Sequence, residues 1–122
     1  AFLVAKECNV HQNYKDKVLK AKDIDTMTTG RRGGHPVRVL KNPFAREYYK
    51  KEFDSNVTDE ELDAFGRGSL PKAAIDGDVQ GGSFMCGQIA GMIHEEKTAA
   101  EIITGIVGQA EQILTGGCPW VK

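Results

Sequence analysis

The sequence predicts a mainly α-helical fold with one or two short strands. Three observations carry that expectation. Side chains able to cap a helix stand ahead of apolar stripes at Asn42, Thr58 and Thr98. The apolar residues that follow recur at three- and four-residue spacing. Strand-like alternation is confined to the run Pro36 to Leu40.

Taken in order, Asn9 with Gln12 forms a capping pair, and Val10, Tyr14, Val18 and Ala21 make one apolar stripe. A helix is therefore predicted from about Val10 to Lys22. Asp23 to Gly34 reads as a loop containing the turn-forming run Gly30-Arg-Arg-Gly-Gly34. Pro36 to Leu40 is the candidate strand. Asn42 before Pro43 puts a capping side chain ahead of a proline at the first helical position, with Phe44, Tyr48 and Lys51 with Phe53 lining the helix and an end near Asp54. Thr58 with Glu61 repeats the capping box, Leu62 and Phe65 face inward together, and Gly66 and Gly68 close the helix. Ser69 is expected to cap a further turn or two, through Ile75.

The segment from Gly77 opens as a loop, and a helix is predicted from about Ser83, with Phe84 or Met85, Ile89 and Met92 or Ile93 along one side. On it Gly87 and Gly91 would leave a face where another backbone approaches closely. Thr98 and Glu101 cap the last long helix. Ile102, Ile103, Ile106, Val107, Ala110, Ile113 and Leu114 are spaced as its core face, and Gly116-Gly117 ends it. Trp120 in the tail is a candidate docking residue.

At 122 residues the chain has the size of one domain. Its formal charge of -1 excludes a domain that neutralises nucleic-acid phosphates by bulk charge. Cys8, Cys86 and Cys118 are widely separated, so a disulfide framework or thiolate zinc site is not expected, and a reducing, cytoplasmic setting is. The uncharged run Val79 to Ile93 is too short and too polar to span a bilayer. The opening AFLVAKECN has no basic leader before an apolar stretch, and it begins in mid-element, as part of a longer protein would.

Few residues carry chemistry on their own. His11, His35 and His94 lack metal-ligand spacing, and no metal site is expected. Gly30-Arg-Arg-Gly-Gly34 could surround an anion with amides and guanidinium groups, or serve as a plain turn. Gly81-Gly82-Ser83 permits close approach of a phosphate or ring edge, with Met85 able to lie against an aromatic ring and Gln88 offering both a donor and an acceptor. Close helix packing accounts for the same residues equally well. The pairs Glu60-Glu61 and Glu95-Glu96 read as helix-end charge.

Three segments together, FLVAKECNVHQNYKDKVLKAKDIDT, HPVRVLKN and GDVQGGSFMCGQIAGMI, resemble the closing portion of the FMN-dependent enoyl-acyl-carrier-protein reductase II and nitronate monooxygenase (2-nitropropane dioxygenase) family. The resemblance implies that residues 1–122 are a single region, the C-terminal helical portion of a truncated (β/α)8 flavoenzyme, a TIM barrel. It implies an oxidoreductase that uses FMN with NAD(P)H to reduce an enoyl thioester; the alternatives are nitronate oxidation, or a non-catalytic helical binding or structural module. By resemblance Gly82, Ser83, Met85, Gly87 and Gln88 are the cofactor-binding segment, while the phosphate-binding glycines and catalytic histidine lie upstream of Ala1. No catalytic residue is therefore assigned. The run Gly30 to Gly34 departs from the longer members. The expected partners are the N-terminal barrel of the same protein, the substrate and a second copy of the chain, with neither nucleic acid nor membrane. The 122-residue chain alone is expected to hold no FMN and to be inactive.

Overall fold

Helix α1 (Gln12–Leu19) starts later than its periodicity predicts, because its cap is His11 and not Asn9. The His11 Nδ1 accepts from the Asn13 amide at 3.1 Å, while the His11 amide donates to the Ala74 carbonyl at 2.8 Å. The structure, a computed structural model, describes residues 1–116. Gly117, Cys118 and Trp120, with the docking expected of Trp120, lie outside the described residues.

The chain divides into two units, Asn9–His94 and the pairing of Ala1–Cys8 with the segment from Glu95 onward. In the larger unit the predicted loop after α1 contains a strand. β1 (Thr26–Thr29) pairs antiparallel with β2 (Val37–Leu40), Thr26 opposite Leu40 and Thr29 opposite Val37. The stretch Thr-Met-Thr-Thr lacks the apolar alternation that marks a strand. Pairing with β2 and the burial of Thr26 and Thr29 impose the extended form.

Local signals placed the starts of the next two helices correctly. α2 (Pro43–Glu52) is capped by Asn42, whose Oδ1 accepts from Ala45 N–H at 2.8 Å. α3 (Asp59–Gly66) carries the Thr58–Glu61 capping box in both directions. α4 (Ser69–Ala74) has Gly68 as its cap, in the left-handed region at φ 77°, so Ser69 is its first helical residue and not its cap. Phe44 of α2 stacks on Phe65 of α3 with centroids 5.2 Å apart, and Tyr48 closes the cluster from the same face of α2. The core beneath includes Val39, Leu40, Ala45, Leu62, Ala73 and Phe84.

In the smaller unit, α5 (Ala99–Thr115) has the predicted Thr98–Glu101 box. The Glu7 carboxylate adds a second cap on the Ala99 amide, at 3.0 and 3.1 Å from its two oxygens. Hydrogen bonds from Thr98 hold the Glu101 carboxyl below the usual carboxylate range. The predicted core face of α5 is not a core. Ile102 is buried, but Ile103, Ile106, Val107, Ile113 and Leu114 are exposed, Leu114 at 82%. The spacing is that of an amphipathic helix, and within its own unit the segment Ala1–Cys8 leaves the stripe uncovered.

Candidate functional site

The segment from Gly77 to Met92 is built by contacts with four different elements. Asp78 Oδ1 accepts from the Gln80 and Gly81 amides at 3.0 and 2.9 Å, which folds the loop and lowers the Asp78 pKa. Asn42, besides capping α2, donates through Nδ2 to the carbonyls of Gly82 at 2.7 Å and Val79 at 3.2 Å. Gly82 sits where a Cβ would lie 2.6 Å from the Asp78 carbonyl oxygen and 2.7 Å from the Ala73 nitrogen, so backbone on both sides forbids a side chain. The Ser83 amide then donates to the Ser69 carbonyl at 2.9 Å.

No helix begins at Ser83. Residues 84–86 run extended along the free edge of β2: the Leu40 amide donates to the Phe84 carbonyl at 2.8 Å, the Cys86 amide to the Arg38 carbonyl at 3.1 Å, and Val39 bridges Met85. The Tyr14 hydroxyl donates to the Met85 carbonyl at 2.6 Å, and its ring packs on Phe84 at 4.8 Å. Burial, reinforced by neighbouring Cys86, pushes the Tyr14 phenol up to about 12. Burial likewise raises the Cys86 thiol.

A 3-10 turn follows (Gln88–Met92). The expected pair of close-packing glycines is thereby split. A Cβ on Gly91 would stand 2.8 Å from the Asp23 nitrogen, whereas one on Gly87 would meet only Ile89, at 3.7 Å. Of the five residues expected to face a cofactor, Gly82 and Ser83 are buried, while Met85, Gly87 and Gln88 are exposed. Ile89 and Met92 beside them are exposed too, which leaves an apolar ribbon on this edge.

Met85 also borders a cavity of about 410 Å³, within the range of small-molecule sites. β1, β2 and the loop between them supply Thr29, Gly30, His35, Val37 and Val39 to its wall. Helix α2 supplies Phe44, Ala45 and Tyr48; Asp63, Gly66, Arg67 and Ser69 close the far side, and Ser83 completes the floor. Burial, then the nearby Glu52 and Asp63 carboxylates, raise the Tyr48 pKa.

The glycine-arginine loop at one end of this cavity has an internal anion. The buried Glu52 carboxylate accepts from the Gly30 amide at 3.2 Å and the Arg32 amide at 2.8 Å. The Arg32 guanidinium ties the loop to the α2–α3 connection, with Asp59 at 2.8 Å and the Val57 and Asp54 carbonyls at 2.7 and 3.2 Å. These amides hold a carboxylate of their own chain. Glu52, Thr29 and the hydrogen-bonding role of Tyr14 escaped sequence reasoning, since each is one polar group on an ordinary helix or strand.

The chain matches the nitronate monooxygenase family over residues 1–109. The chain belongs to that family. It is similar to a probable nitronate monooxygenase of Staphylococcus saprophyticus, with 29% identity over 93% of this chain and 32% of the relative. It is also similar to the solved structure of FabK from Thermotoga maritima: 39% identity, a TM-score of 0.87, and coverage of 94% of this chain and 36% of that one. A mutant form of that FabK superposes with a TM-score of 0.76 at 36% identity, covering 94% of this chain and 33% of its own. The chain thus spans about a third of the length of these nitronate monooxygenase and FabK relatives. Its helices and two strands are the matching part of a FabK-like TIM-barrel protein. No helix among the described residues is long and apolar enough to cross a membrane.

Proposed function

We propose that this chain is the carboxy-terminal part of an FMN-dependent enoyl-acyl-carrier-protein reductase that uses NAD(P)H to reduce an enoyl thioester. The single observation that carries the reading is the likeness to FabK, at 39% identity over 94% of the chain with a TM-score of 0.87. The likeness to the staphylococcal relative, at the lower identity of 29%, supports the second reading, nitronate oxidation by the same kind of flavoenzyme.

The residues present suit one wall of a flavin site. Met85 offers an exposed thioether for an aromatic ring edge, Gln88 an exposed amide, and Gly87 an open backbone flank. Gly82 and Ser83 support the segment from beneath, through the Asn42 and Ser69 contacts. When bound, FMN supplies the transfer of two electrons from NAD(P)H to the enoyl carbon–carbon double bond. The chain's own part is to orient and to exclude water: the Tyr14 hydroxyl and the β2 edge fix the Met85 backbone, so its side chain projects from a rigid support. The uncovered stripe of α5 is where the barrel portion of the full-length protein packs, which accounts for five exposed apolar side chains on one helix.

The test is the full-length protein. It is expected to purify with a flavin absorbance band and to oxidise NAD(P)H with a crotonyl thioester. Oxygen uptake with a nitronate and no thioester reduction would establish the second reading instead. The 122-residue chain alone is expected to show neither turnover.

A further inference from the structure

Only one side of β1 is used within the chain. On β2 the Leu40 amide and the Arg38 carbonyl turn toward residues 84–86, so Val37 and Val39 carry the bonds to β1, to their partners Thr29 and Met27. Backbone groups alternate sides along a strand, so the amides and carbonyls of Thr26 and Thr28 point away from the sheet. No described residue bonds to any of these groups. β1 is thus a free edge, and Thr-Met-Thr-Thr carries none of the lysine, proline or bulge that ordinarily guards one. Its flanks carry opposite charge. Asp23 and Asp25 precede it, and Arg31, exposed and outside every ion pair among the described residues, follows it.

We propose that the β1 edge is the docking surface for a second copy of this chain, the two β1 strands pairing antiparallel about a two-fold axis at Met27. In that register Thr26 of each copy faces Thr28 of the other. The outward amides and carbonyls then satisfy one another, and the side chains form Thr–Thr cross-strand pairs. Charge selects this occupant. Antiparallel pairing sets the acidic flank of one strand, at Asp23 and Asp25, against Arg31 of the other copy, and the two-fold axis repeats the match at both ends. Arg32, brought opposite Lys22, already holds Asp59 at 2.8 Å. A parallel mate would set like charge on like, and an extended segment of another protein has no such built-in match. Each edge is only four residues long, so the dimer depends on concentration. None of this rests on the flavin reading above.

The experiment is sedimentation of the full-length protein over a range of concentrations, with amide exchange followed at Thr26 and Thr28. A dimer is expected, with both amides protected in proportion to the dimer formed. Thr28→Pro removes an outward donor and no bond of the β1–β2 ladder, and is expected to weaken dimerisation more than about tenfold. Asp23→Arg and Arg31→Asp are each expected to weaken it by more than about tenfold when alone. An equimolar mixture of those two variants is expected to dimerise as well as wild type, because opposite charges then meet at both ends of the mixed pair. Thermal melts of each variant separate lost pairing from lost folding. A monomer at every concentration overturns the proposal, and so does a dimer indifferent to Thr28→Pro and to both charge reversals. Protection of Thr26 and Thr28 in a monomer would mean that another segment of the same chain occupies the edge, which overturns it too.

Discussion

The Tyr14 hydroxyl lies 2.6 Å from the Met85 carbonyl, joining the first helix to the exposed edge segment across 71 residues of sequence. Tyr14 and Phe84 are both buried, at 2% and 0% exposure, and their rings pack with centroids 4.8 Å apart. Removing it with Tyr14→Phe keeps the ring and is predicted to cost about 1 kcal/mol of stability. The same variant carries a pH signature. A phenol raised from 10.0 to about 12 on folding stabilises the protein fully below 10.0, and that contribution is lost as pH rises through about 12. Urea midpoints should therefore fall more steeply in this window for the wild type than for Tyr14→Phe. Parallel slopes would mean that the phenol is not the group responsible.

Asn42 closes two structures at once, capping α2 and holding the Val79 and Gly82 carbonyls. Asn42→Ala is predicted to cost about 2–4 kcal/mol, combining a lost cap with buried carbonyls left unpaired. Asn42→Asp keeps the acceptor for Ala45 but has no donor for Gly82, so its denaturant midpoint should fall between the two. An aspartate variant as stable as wild type would show that the cap alone matters.

The glycines of the segment separate cleanly. Gly82→Ala forces a Cβ to within 2.6–2.8 Å of backbone at Asp78 and Ala73 and is predicted to destabilise by about 1–3 kcal/mol. Gly87→Ala meets only Ile89 at 3.7 Å and should stay within about 0.5 kcal/mol of wild type. That open flank is contrary to the packed helical face that sequence spacing predicts. Thermal denaturation of the alanine pair decides the order; equal melting temperatures would contradict the contacts at Gly82.

Glu52 holds the loop at Gly30 and Arg32 through two amides. Glu52→Ala leaves both donors without a partner and is predicted to cost about 2–3 kcal/mol, with amide exchange at Gly30 and Arg32 accelerating before that of the β1–β2 pairing. Glu52→Gln keeps an acceptor oxygen and should lose less. Unchanged exchange in Glu52→Ala would show that the Arg32 fork on Asp59 and Val57 suffices to hold the loop.

Much of the fold was legible because its signals are short-range. The caps at Asn42, Thr58 and Thr98 each satisfy a donor within three residues, so the residues that start those helices are also their neighbours in sequence. His11 replaced Asn9 as a cap because the fold brings the Ala74 carbonyl to its amide, a partner invisible to local spacing. The candidate site was legible as a segment, through its resemblance to a family, but not as a geometry. Met85, Gly87 and Gln88 were expected on a helix and stand instead on an extended edge and a 3-10 turn.

Sequence alone determined where α2, α3 and α5 begin, the family, and the stripe of apolar residues along α5. Tertiary structure alone decided what those features meet. The apolar residues from Phe84 to Ile93 have helical spacing, yet residues 84–86 are extended, because the free edge of β2 presents the Leu40 amide and the Arg38 carbonyl, and buried backbone groups must be paired. The α5 stripe has the periodicity of a core and is exposed, since periodicity states only that one face is apolar. What an apolar face meets is a long-range property that its own periodicity does not carry.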